Sequence, residues 1–200
     1  MAYPIVAAPY GLAPINLLGG RVFAGQTRLI PIASASTTAI FYGDLVKLNT
    51  SGTLDKVTTT ATATNAIGVF LGCTYTNPST NQKLSYQYYP GSVTASDIQA
   101  YVQDDYDQLY KVAVVSATTV IGGLTRAAVG QNISVVQNAG STVTGDSAVA
   151  VLNSTGTATT LPFRVVDVVQ ETVNASGSYT EVIVKFNFGV HSYTTAVAVA

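Results

Sequence analysis

The chain has 200 residues, of which 9 are Lys or Arg and 10 are Asp or Glu, giving 10% charged residues and a formal net charge of -1; an average soluble domain carries about 25% charged residues. Cations scattered singly between Arg21 and Lys185 offer no basic patch for DNA, RNA or an anionic membrane, and 48% hydrophobic residues exclude a disordered polyelectrolyte. The lone cysteine, Cys73, excludes an intramolecular disulfide and a four-cysteine zinc site.

Residues 1–25 form the first distinct stretch. Pro4, Pro9 and Pro14 keep it extended and interrupt any helix, while Ile5, Val6, Leu12, Ile15, Leu17 and Leu18 remain apolar. No cation precedes Arg21, so a secretory n-region is not readable, and no run approaches the ~20 continuous apolar residues of a spanning helix. The expectation is a chain made in the cytoplasm that stays soluble until it joins a partner. The stretch is either an ordinary first strand on its own core or an extended N-terminal arm. As an arm it would contact a partner through Ile5, Val6, Tyr10, Leu12, Ile15, Leu17 and Leu18, and would be removable without unfolding the body.

From residue 26 onward, short runs rich in Val, Ile, Thr, Tyr and Phe alternate with Gly, Asn, Ser and Thr clusters, which is strand punctuation. Strands are expected at 27–32, 39–42, 44–49, 66–75, 83–89, 98–103, 109–115, 133–137, 148–152, 163–169 and 179–188. Ser96 with Gln99 could instead open a short helix as a capping box. No stretch sustains a 3.6-residue apolar period, so the class is all-β, with a β-barrel or β-sandwich body over 26–200. Gly43-Asp44 followed by Leu48-Asn49-Thr50-Ser51-Gly52-Thr53 is echoed by Gly145-Asp146 followed by Leu152-Asn153-Ser154-Thr155-Gly156-Thr157. Each copy reads as strand, tight Asn/Gly turn, strand. The echo fits either two unrelated hairpins or a duplicated β unit, with sub-units of about 26–115 and 116–200.

Groups able to do chemistry are few. Gly145-Asp146-Ser147 is similar to the nucleophile block of one class of lipases and esterases, with the sole histidine, His191, as the conceivable base. The block lies late in the chain, no Asp stands just before His191, and a Gly-x-Ser-x-Gly elbow is absent, so the chain reads as a non-enzyme without a cofactor. Asp104, Asp105 and Asp107 are a weak candidate for calcium, since a hard cation takes several oxygen ligands; the simpler reading is a solvated acidic turn. Cys73 reads as a small buried hydrophobe. Among the 12 tyrosines, Tyr86, Tyr88, Tyr89 and Tyr106 are candidate subunit contacts, because Tyr gives a large contact area at little rotamer entropy.

Several short motifs carry a resemblance over nearly the whole chain. Pro9-Tyr10-Gly11-Leu12-Ala13-Pro14-Ile15-Asn16, Thr27-Arg28-Leu29-Ile30-Pro31-Ile32, Phe41-Tyr42-Gly43-Asp44-Leu45-Val46, Ala66-Ile67-Gly68-Val69-Phe70-Leu71-Gly72, Val102-Gln103-Asp104-Asp105-Tyr106-Asp107-Gln108 and Val184-Lys185-Phe186-Asn187 resemble the small β-rich head proteins of tailed bacteriophages, especially marine ones. Tyr106 stands where similar sequences have Pro. The resemblance implies a capsid decoration, or cement, protein on the outer surface of the virion, synthesised in the host cytoplasm and bound to the major capsid protein. It also implies a homo-oligomer, with a trimer as the expected form, and no catalytic residues. Neither nucleic acid nor membrane is expected as a direct partner. The alternative from another class is a tail or fibre module that binds a receptor or carbohydrate through its tyrosines.

Overall fold

The computed structural model describes residues 7–59, 65–173 and 179–194. The strands are β1 (Ala13–Leu17), β2 (Arg28–Pro31), β3 (Leu45–Leu48), β4 (Leu54–Lys56), β5 (Ala66–Thr76), β6 (Lys83–Tyr86), β7 (Gln99–Gln103), β8 (Gln108–Ala117), β9 (Val120–Ile121), β10 (Asn132–Val136), β11 (Ala150–Gly156), β12 (Phe163–Val168) and β13 (Glu181–Phe186). Single 3-10 turns stand at Arg126–Ala128 and Gln170–Thr172. The class is all-β, and the segment after Ser96 is strand β7 rather than a helix.

The strands divide between two sheets. The first runs β2-β7-β5-β3-β4, with β6 also on β5. In the second, β8, β11, β10, β12 and β13 close into a five-strand barrel, because β13 returns to pair with β8 from Glu181↔Ala113 to Val184↔Tyr110. Strands β1 and β9 attach to β8 outside that ring. The β8–β11 ladder is parallel, with Val151 opposite Val114. Tyr110, Val112 and Val114 point from β8 into the barrel core with Ile133, Phe163, Val165 and Phe186. Ala113 and Val115 on the opposite face pack with Val136, Ala150 and Tyr179. Both faces of β8 are thus covered, which is why it reads as a continuous apolar run rather than an alternating one. β5 behaves likewise, turning Ala66 and Val69 to the barrel core and Ile67, Phe70 and Cys73 to the core of its own sheet.

The sheets are joined where the echoed motifs meet. Tyr42 and Asp146 form a parallel bridge, with Tyr42 N–H donating to Gly145 O at 3.0 Å and Ser147 N–H to Tyr42 O at 2.9 Å. Asp44, fully buried, takes Lys56 Nζ at 2.7 Å, Phe41 N–H at 2.8 Å and Ser147 Oγ–H at 2.6 Å. Gly11, at φ +85°, lies against this joint, where an added Cβ would come within 2.8 Å of Ser147 Cβ.

Two expectations are corrected. Only the first echo makes the tight turn: Asn49 Oδ1 accepts the N–H groups of Ser51 and Thr53, each at 3.0 Å. In the second, residues through Gly156 stay extended in β11, held by Thr155↔Ile133 and Gly156↔Asn132. After β7 the chain passes from the first sheet to the second at residues 104–107, and β8 runs unbroken through Ala117. The described part of the arm is not a free arm: β1 pairs with β8 at Ala13↔Lys111, Pro14↔Tyr110 and Leu17↔Gln108, and Leu12 is 0% exposed in the barrel core. Ile5 and Val6 lie outside the described residues. Leu12→Ala should therefore cost about 2–5 kcal/mol of unfolding free energy, read from a urea titration, and deletion of residues 2–20 should destabilise the body.

Candidate binding groove

β12 and β13 place Arg164 opposite Lys185. After β13 the chain folds back, Val190 N–H donating to Asn187 O and Thr194 N–H to His191 O, while His191 bridges Ala66. Between this fold-back and the barrel lies a mainly apolar cavity of about 610 Å³ lined by Leu18, Tyr106, Val129, Arg164, Phe186, Phe188 and His191, among others. Phe188 is 85% exposed, Tyr106 51% and Leu18 40%. An exposed apolar grouping of this kind on a polar surface marks a contact site.

His191 is fully buried beside the groove. Its ring meets Phe186 edge-on at 5.2 Å between centroids and Tyr193 at 5.5 Å. Tyr193 N–H donates to Nδ1 at 3.3 Å, so the neutral ring carries its proton on Nε2, which is closed off from solvent. Burial pushes its pKa below 6.5, opposed in part by the backbone of Ile67 and by Asp104. As pH falls from 6.5 the unfolded chain takes up the proton before the native one, so stability should decrease towards the native pKa and then level off with respect to this group. An imidazole titration midpoint at or above 6.5, followed by NMR, would contradict that.

The acidic turn beside the groove is a set of ion pairs. Asp104 meets Arg28 at 2.9 Å, Asp107 meets Lys185 at 3.3 Å and Arg21 at 3.4 Å, and Asp105 Oδ1 accepts the Asp107 N–H at 2.9 Å. Asp104, Asp105 and Asp107 thus do not converge on a cation site; no metal-holding group of three or more such side chains occurs among the described residues. Ser147 gives its proton to Asp44 rather than to His191.

The tyrosines separate by exposure. Tyr89 is 0% exposed in the core of the first sheet, with its hydroxyl donating to Ser36 O at 2.9 Å; this removes it from the candidate contacts. Tyr88, half-buried, stacks on Phe41 at 5.4 Å. Tyr86 is 40% exposed and stacks on Tyr75 at 5.5 Å. Of the arm residues, Tyr10 is half-buried, its hydroxyl donating to Glu181; Ile15 and Leu17 are also half-buried, and Leu18 reaches the groove. Burial pushes the Cys73 thiol up to about 12, so it is an inert core side chain. Arg164 and Phe188 were not singled out by any motif. The one available signal was Phe188 ahead of Gly189, which has φ +80° and ends the extended run.

Among the described residues no helix is long and apolar enough to cross a membrane. Compared with protein-family models, curated proteins and solved structures, the chain finds no match.

Proposed function

We propose that the chain is a non-enzymatic virion structural protein, a capsid decoration or cement protein that binds the major capsid protein lattice on the outer surface of a phage head and stabilises it as a homo-oligomer. The observation that carries this reading is the groove, where Leu18, Tyr106 and Phe188 present large apolar surface on a body with very little charge. Such a surface holds a neighbour, and repeated copies on a lattice add avidity to each weak contact. The free edge of β2, which pairs only with β7 among the described strands, offers a second contact by strand addition. The side-by-side seating of Gly43-Asp44 and Gly145-Asp146 supports two related β units, and within residues 1–25 the contact role falls to Ile15, Leu17 and Leu18.

The test is co-sedimentation with purified heads that lack this chain. The wild-type protein should pellet with them, and L18D/F188D should lose about tenfold or more in affinity while retaining its melting temperature. Absence of binding by the wild type would overturn the reading. A tail or fibre module is the second reading, favoured by the exposed stack of Tyr86 on Tyr75; glycan-array binding abolished by Y86A would support it.

A further inference from the structure

The chain beyond β13 is anchored at one point and latched at another. Asn187 is the anchor: its N–H donates to Pro162 O at 2.8 Å, and its Nδ2 donates to Thr159 O at 3.3 Å and Leu161 O at 3.1 Å. Two residues on, Gly189 takes φ +80° with open space where a Cβ would stand, so the backbone can swing there without meeting a neighbour. The latch is residues 191–193. Ser192 N–H donates to Ala66 O at 2.8 Å and Tyr193 N–H to His191 Nδ1 at 3.3 Å. Arg28 donates to the Tyr193 hydroxyl, its guanidinium 5.2 Å from the centre of that ring. The imidazole of His191, 0% exposed, stands at the middle of these contacts.

A proton on that ring reverses its role. A cationic imidazole is a donor at both nitrogens, so Nδ1–H would point at the Tyr193 N–H it now accepts from, and burial disfavours the charge itself. The carboxylates of Asp104 and Asp105 attract the charge, but Arg28 already holds Asp104 at 2.9 Å and offsets part of that attraction. β5 offers only the backbone of Ala66 and Ile67, while Phe186, Tyr106 and Tyr193 meet the imidazole with their rings. In the adjoining groove Lys185 is engaged by Asp107 and Arg164 by Asn132, and both are cations that disfavour a third.

We propose that protonation of His191 is an acid switch that releases residues 188–194 from Ala66 and Arg28 while the barrel stays closed. The barrel does not depend on the latch, because β13 pairs with β12 as far as Phe163↔Phe186 and with β8 as far as Val184↔Tyr110, all before the Asn187 anchor. Release takes Phe188 and Thr194 out of the groove wall, so a neighbour docked there at neutral pH would be let go in acid. That consequence rests on the docking reading; the switch itself does not.

The test is a series of amide spectra of the 15N-labelled chain between about pH 7.5 and about pH 4.5, the range that brackets histidine titration. The sole histidine gives a single imidazole titration to compare with. Ser192 and Tyr193 amides should leave their native positions with the His191 midpoint. Below 6.5 their exchange, corrected for the intrinsic rate, should quicken by up to about tenfold per pH unit. Val182 and Val184 in β13 should keep their native positions throughout. His191→Gln and His191→Phe, which cannot take up the proton, should each abolish the pH response of Ser192 and Tyr193. Native Ser192 and Tyr193 signals persisting at the acid end, loss of Val182 and Val184 along with them, or an unchanged pH response in the variants would each overturn the proposal.

Discussion

Asp44→Ala is expected to lower the unfolding free energy by about 3–5 kcal/mol. The carboxylate is fully buried and the Lys56 side chain is 11% exposed, with Nζ 2.7 Å away, so truncation strands an ammonium in the joint between the sheets. It also leaves Phe41 N–H and Ser147 Oγ without their acceptor. Lys56 lies over the Phe41 ring at 5.6 Å, which cannot replace a carboxylate. The charge is most of the penalty, so D44A/K56M should recover a substantial part of the loss in a urea titration. If the double variant were as unstable as D44A, the hydrogen bonds to Phe41 and Ser147 would be the dominant contribution instead.

Gly68→Ala should be about as damaging for an unrelated reason. A Cβ there would stand 2.0 Å from Gln103 O, 2.8 Å from Gln103 C and 3.0 Å from Asp104 Cα, all backbone atoms at the close approach of β5 to the end of β7. Overpacking usually costs about 1–3 kcal/mol. No flexible side chain can yield here, so the expected cost is about 3 kcal/mol or more, a fall of roughly 6–12 °C in Tm for a domain of this size. Gly123→Ala is the control, since its Cβ would meet only Thr180 Oγ1, at 3.7 Å. Calorimetry showing the two variants equally stable would contradict the argument.

Much of the fold was legible because runs dense in Val, Ile and Phe advertise themselves: β5, β8 and β12 are each close to their expected spans. β1 was harder to read because Pro14 signals a break. In the structure β1 lies outside the barrel ring, and among the described residues its second edge carries only the single bridge of Asn16 to Val22; an edge tolerates a proline. Residues 39–42 have strand composition but make only single bridges, because Ile40 pairs with Tyr89 and Tyr42 with Asp146 as the chain crosses between sheets. Asn153-Ser154 was read as a turn from local preference, and the ladder with β10 overrides it. The acidic turn was visible, but the cations that neutralise it, Arg21, Arg28 and Lys185, come from segments far away along the chain. The groove was invisible for the same reason: no local pattern announces that Leu18, Arg164 and Phe188 will share one wall.

The ring shuts only when β13 reaches β8, which in turn supports β1 on its other edge. Residue 186 must therefore be in place before the barrel can exist, so folding should be slow and cooperative, as expected where pairing partners are remote. Halves of the polypeptide, expressed separately, should remain collapsed and sticky until mixed.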